Sequence, residues 1–158
     1  MPNSVPKRRL RLQNYLPYRL SVAANAVSQL IARAYQDRFH LKIPQWRLIA
    51  VLADEGSLTP QALCRRTVMD KVTVTRAAQG LLARRLVRRV PNADDRRSHR
   101  LVLTGAGRRL HGEIAPLALR YESHLLGKIQ PLDVVKLERQ LRQLESVAAE
   151  LSGRGYTL

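Results

Sequence analysis

The sequence predicts a mainly α-helical fold carrying one small β-hairpin. Two observations lead there. Apolar residues recur at three- and four-residue steps through most of the 158 residues, the period of an amphipathic helix. Alternating apolar and polar residues, the period of a strand, occur in one place only, on either side of the turn-rich stretch 91-PNADDRRSH-99.

The elements follow in order. Residues 1–14 carry Pro2, Pro6, Lys7, Arg8, Arg9 and Arg11 and read as a flexible basic arm. A helix is expected from Pro17 to about Arg38, with Leu20, Ala23, Ala24, Val27, Leu30, Ile31 and Ala34 on one face. Pro44 suits the first turn of a second helix, 44–54, which Gly56 ends. In that helix Trp46, Ile49, Ala50 and Ala53 set the apolar face, and Leu48 and Leu52 widen it. Thr59 and Pro60 open a short third helix, 59–67, as N-cap and first helical residue. Asp70 caps a fourth, 71–86, whose inner face is Val74, Ala77, Ala78, Leu81 and Leu82. The strands 86–90 and 100–104 form the hairpin. Thr104 caps a long helix, 105–129, which Pro116 should bend or restart. The last helix, 132–151, has a stripe running through Leu137, Leu141 and Leu144. Residues 152–158 are expected to fray.

Helix, short helix, helix, then hairpin is the order of a winged helix-turn-helix, placed at about residues 44–104. Long helices flank it at about 15–38 and 105–151. Their apolar stripes are too extensive for a three-helix core alone. They are expected to act as dimerisation helices within one domain, 15–151, with Leu137, Leu141 and Leu144 at the interface.

Charge indicates the partner. The chain carries 28 Lys+Arg against 12 Asp+Glu, a formal net charge of +16. Half of that excess lies in residues 59–100, so the basic field coincides with the helix-turn-helix and hairpin. Lys71, Thr73, Thr75 and Arg76 sit in the N-terminal half of the fourth helix, where a recognition helix meets base edges, with Thr75 turned partly toward the core. Arg96, Arg97 and Arg100 lie at the hairpin tip, and arginine there suits a narrow minor groove. Asp95, two residues before Arg97, is expected to orient its guanidinium. Double-stranded DNA is the expected partner; aromatic residues are only 4% of the chain, too few for the stacking platforms that hold single strands.

Other chemistry finds little support. His40, His99, His111 and His124 stand in no metal-binding motif, so no metal and no cofactor is expected. Phosphate-cradling and nucleophile-elbow motifs are missing, so an enzyme is not expected. The single cysteine, Cys64, reads as a packed small side chain, and the absence of a possible intramolecular disulfide fits a cytoplasmic protein. No apolar run reaches the roughly 18 residues of a membrane span, and the N-terminal residues lack the apolar core of a secretion signal.

Four segments then combine into a resemblance. Asp95, Arg97, Leu103 and Thr104 make the pattern D-x-R-x5-L-T, and 70-DKVTVTR-76, 45-QWRLIAVL-52 and 103-LTGAGRRL-110 accompany it. Together they resemble the MarR family of bacterial transcriptional regulators, over about residues 15–151. The resemblance implies a triangular homodimer built by the first, fifth and sixth helices. It also implies a palindromic operator and, usually, release by a small-molecule effector; a repressor is the expected role, with an activator the open alternative. Arg19, His40, Trp46 and Arg47 lie on segments that line ligand clefts in similar proteins. The segments 16-LPYRLSVAAN-25 and 69-MDKVTVTRA-77 resemble the branch that regulates aromatic-acid breakdown, which implies an aromatic acid or its thioester as effector. Two positions depart from the family pattern: Gly80 inside the recognition helix and Arg85 before the wing. The competing reading is a basic DNA-architectural or RNA-binding protein with no ligand response.

Overall fold

The structure, a computed structural model, describes residues 9–129 and 131–153. It contains a 3-10 turn (Leu12–Asn14), then α1 (Leu16–Ala32), α2 (Gln36–Phe39), α3 (Ile43–Glu55), α4 (Pro60–Thr67) and α5 (Lys71–Ala83). The hairpin β1 (Val87–Pro91) and β2 (His99–Leu103) follows, then α6 (Gly105–Gly127) and α7 (Val134–Gly153). Contacts divide the chain into one unit up to Tyr121 and a second from Glu122. The mainly α class with a two-stranded hairpin is therefore as expected.

Several boundaries move, each for a local reason. The first helix ends at Ala32 rather than near Arg38. There the chain tightens, with Ala34 and Tyr35 buried and Tyr35 stacked on Trp46 at 5.5 Å between ring centroids. The short α2 then closes at His40, whose φ of 51° lies in the left-handed region. In α3 the buried face is Leu48, Ile49 and Leu52; Ala53 is exposed and Ala50 only half-buried, so the face is rotated from the one read in sequence. Gly56, with φ 81°, ends that helix as expected. The recognition helix stops at Ala83, three residues early, because Arg85 takes a φ of 55° to turn the chain into β1. The long helix α6 runs through Pro116 without restarting. Of the basic arm, residues 1–8 lie outside the described residues, as do 154–158 of the tail.

The core of the first unit joins the helix-turn-helix to the hairpin. Leu48, Ile49, Leu63, Val74, Leu81, Leu101 and Ile114 are almost wholly buried in one cluster. Burying such a side chain contributes roughly 1.5–3 kcal/mol, so this cluster is the main source of stability here. The hairpin is antiparallel, with Val87 opposite Leu103 and Arg89 opposite Leu101. Leu101 and Leu103 point into the core while Val102 does not, which seats the hairpin on the domain as the alternation predicts.

One pairing was invisible to sequence patterning. Leu58, between α3 and α4, exchanges two backbone hydrogen bonds with Leu101. The Leu58 N–H donates to the Leu101 carbonyl at 3.1 Å, and the Leu101 N–H donates back at 2.8 Å. A single residue cannot display a strand's alternation, so nothing in the sequence marked it.

Two glycines face near neighbours. A side chain at Gly80 would meet the amide end of the Gln45 side chain, a flexible tip that can swing aside. One at Gly107 would run into the backbone carbonyl of Leu86, so glycine lets α6 lie against the root of the hairpin. That carbonyl also accepts the Thr104 N–H at 3.0 Å, and Thr104 Oγ1 accepts the Gly107 N–H at 3.1 Å as the helix N-cap.

In the second unit, α7 carries Leu137, Leu141, Leu144, Val147 and Leu151, all exposed in the isolated chain. The stripe predicted from the sequence is present and uncovered. In the first unit, α1 likewise exposes Leu16, Leu20, Val22 and Val27.

Candidate nucleic-acid interface

The entry to α5 is built by Asp70. Its Oδ1 accepts the Thr73 N–H at 2.8 Å and its Oδ2 accepts the Thr73 hydroxyl at 2.7 Å. The hydroxyl bond, then the backbone bond, hold the Asp70 carboxyl below its ordinary value. This arrangement changes what the threonines can do. Thr73 uses its one hydroxyl proton inside the cap and is half-buried, so it has no proton left for a phosphate. Thr75 is exposed, the opposite of the inward lean read in sequence. Lys71 and Arg76 are also exposed, and among the described residues neither is in an ion pair.

The hairpin tip, residues 92–98, is held by its own side chains. The Asn92 amide donates to Ser98 Oγ at 2.6 Å, and Ser98 donates to the Asp95 carbonyl. Asp95 Oδ1 accepts the backbone N–H of Arg97 at 2.9 Å. Asp95 therefore braces the turn backbone; the expectation that it clamps the Arg97 guanidinium is corrected. An aspartate two residues ahead of a free N–H closes an Asx turn, and that shorter reach wins. Arg96 and Arg97 are exposed, with no ion-pair partner among the described residues. Arg100 differs: it is half-buried on β2, and its Nη1 lies 3.4 Å from Asp94 Oδ2. Its guanidinium braces the loop from below.

Helix and hairpin share one concavity. An open cleft of about 810 Å³ is lined by Lys71 and Thr75 from α5, by Thr59 and Gln61 from the start of α4, and by Arg97 and His99 from the hairpin. Cys64 and Met69 form part of its floor. Lys71 of α5 and Arg97 of the hairpin thus face one space. Arg84, at the far end of α5, was missed by the sequence reading. It donates to the carbonyls of Phe39 at 2.9 Å and His40 at 3.1 Å, satisfying the end of α2.

The four residues read as a ligand pocket have distinct surroundings. Trp46 is sandwiched between Tyr35 and His111, the latter at 5.6 Å. Arg47 donates to Ser28 Oγ at 3.3 Å. Burial raises the Tyr35 pKa, an effect partly offset by the positive charge of Arg47. Arg19 and His40 are exposed. A different open cavity, about 630 Å³, is lined by Leu52, Ser57, Arg88, Val102, Arg108 and His111. No group of His, Cys, Asp and Glu able to hold a metal occurs among the described residues. No helix among them is long and apolar enough to cross a membrane.

Comparison with known proteins agrees with this geometry. The MarR family profile matches residues 41–98, from α3 to the hairpin tip. The chain is 28% identical over 142 residues to the HTH-type transcriptional regulator TtmR of Methylorubrum extorquens, covering 88% of this chain and 70% of that one. It is 27% identical to a MarR family transcriptional regulator of Silicibacter pomeroyi, covering 88% and 98% of the two chains with a TM-score of 0.75. It is 25% identical to Bordetella bronchiseptica BpsR, whose DNA binding is regulated by 6-hydroxynicotinic acid, covering 82% and 98% with a TM-score of 0.73. The exposed cations of α5 and the hairpin tip, set on this helix-turn-helix, lead to one conclusion: the chain belongs to the MarR family of DNA-binding transcriptional regulators.

Proposed function

We propose that this regulator is a homodimeric repressor that grips a palindromic operator and leaves it when a small anionic ligand binds. The observation that carries the DNA half is the shared cleft, which brings Lys71, Thr75 and Arg97 to one surface. In this reading α5 enters the major groove, with Thr75 and Arg76 at base edges and Lys71 on phosphate. Arg96 and Arg97 reach the neighbouring minor groove, while Asp95, Arg100 and Thr73 hold those elements in shape. The dimer is made by the segments 15–38 and 105–151, with the exposed leucines 137, 141 and 144 at its seam. The ligand half is supported by the similarity to BpsR and its aromatic acid. A carboxylate on an aromatic ring, free or as a thioester, is the class we assign. Arg19, His40, Trp46 and Arg47 remain the first residues to test as its site.

The deciding experiment is footprinting on DNA flanking the protein's own gene, with and without aromatic acids. Arg76→Ala should reduce discrimination between operator and random DNA. Lys71→Ala should weaken both alike and flatten the salt dependence by about one unit of slope. Uniform loss in both variants would sink the assignment of α5, and binding without sequence preference would favour a general architectural role.

A further inference from the structure

Three residues, Val68, Met69 and Asp70, link α4 to α5, and the first is badly suited to its place by every local criterion. Val68 has a φ of 52° and is 90% exposed. A β-branched residue in the left-handed region is a genuine outlier, because its side chain crowds the backbone. Exposing the whole side chain also forgoes any stabilisation from burial. Glycine or asparagine would suit the turn better. Four residues on, in the first turn of α5, Val72 is 57% exposed. Neither valine is needed by the core, which α5 reaches through Val74, Ala77, Ala78 and Leu81. Both therefore leave an apolar surface exposed at the entry to α5.

Their surroundings indicate what that is. Lys71 lies between them in sequence, and Arg65, Arg66 and Arg76 are exposed on the same two helices. Only Arg66 of these is ion-paired, to Glu55. An apolar centre within a basic rim complements a major groove over A·T pairs, where phosphates flank a floor bearing thymine 5-methyl groups. A protein partner's apolar patch would have no use for so much positive charge. We propose that Val72, with Val68 in the turn that leads into the helix, reads thymine methyl groups, and so sets which bases the operator carries opposite the start of α5. This rests on α5 being the helix that enters the groove.

The probe is a duplex recovered from a random-sequence pool by the full-length protein, then resynthesised with each thymine in turn replaced by deoxyuridine. That change removes the methyl group and leaves every hydrogen-bonding group in place. At one or two positions per half-site, affinity at fixed salt should fall about fourfold, the equivalent of the ~0.8 kcal/mol carried by one buried methylene-sized group. In Val72→Ser the thymine and deoxyuridine duplexes should bind alike, which ties the methyl effect to that side chain. Val68→Gly should unfold at no lower urea concentration than the wild type, because it relieves the left-handed backbone, yet bind the thymine duplex more weakly. If every deoxyuridine duplex binds wild type normally, or if Val72→Ser keeps the same methyl dependence, the inference is overturned while Arg76→Ala still reports on the helix assignment. If no duplex is enriched from the pool, the inference and the operator reading fall together.

Discussion

The sharpest test of the packing at the hairpin root is a pair of identical substitutions one helical stretch apart. Gly107 and Gly112 both lie within α6. Intrinsic propensity favours alanine at both: in a helix interior, as at Gly112, it stabilises by roughly 0.5–1 kcal/mol over glycine, and in the first turn, at Gly107, by no more than that. The structure separates them. Nothing lies near a side chain added at Gly112, whereas one added at Gly107 collides with the Leu86 carbonyl and also meets Leu103. The obstacle is backbone, fixed by the Thr104 N–H and by the turn at Arg85, so it cannot swing aside as a flexible side chain would. Overpacking of this kind costs roughly 1–3 kcal/mol, and it outweighs the propensity gain. Gly112→Ala should therefore stabilise by up to about 1 kcal/mol, and Gly107→Ala should destabilise by about 1–2 kcal/mol net. Urea unfolding at one protein concentration measures both, since assembly would otherwise shift the midpoint. Gly107→Ala should also weaken DNA binding, because α6 can make room only by displacing the strand that leads to the tip. Equal midpoints for the two variants would refute the close approach of α6 to Leu86.

Three further outcomes follow from particular contacts. Arg97→Ala should weaken operator binding by roughly 1–3 kcal/mol with folding intact, and a gel-shift titration at matched salt showing no change would remove it from the interface. Leu141→Asp places a charge in the stripe of α7; sedimentation should show monomers, with operator affinity lost although α5 and the tip are untouched, and a tight-binding soluble dimer would move the seam elsewhere. Asp70 provides a pH test. Its folded carboxyl lies below the ordinary value, so its stabilisation is present above the ordinary carboxylate range and is lost as pH falls through the lowered value. Measured relative to the intrinsic exchange rate at each pH, protection of the Thr73 amide should fall over that acid window in wild type, and Asp70→Asn should lack the fall.

Much of this was legible because amphipathic periods report burial directly. Val74, Ala77, Ala78 and Leu81 were readable from spacing alone, and all are buried. Asp70, Thr59 and Thr104 were readable as caps, since each side chain satisfies a donor three residues on. The misses share a cause: competition among short-range polar partners leaves no periodic trace. Asp95 had both a guanidinium and a backbone N–H within reach, and the backbone won. Thr73 had solvent or Asp70, and the cap won. The break after Ala32 was hidden because Ala34 and Tyr35 continue an apolar pattern while leaving the helix to reach the core. Arg85, noted for standing where similar proteins carry glycine, does have the left-handed backbone that such a glycine would serve.

Leu101 has one further consequence. It is bonded to Leu58 on one edge and paired with Arg89 on the other, and its side chain is buried. The hairpin is therefore a cantilever, clamped on both sides up to mid-strand and unsupported toward its end. Arg97 stands four residues beyond the clamp, about 13 Å of extended chain at most. A beam held this way deflects little near the wall and most at the free end. On the DNA contact proposed above, its arginines follow a groove that narrows or widens from one sequence to the next, and the bending stops before it reaches the core.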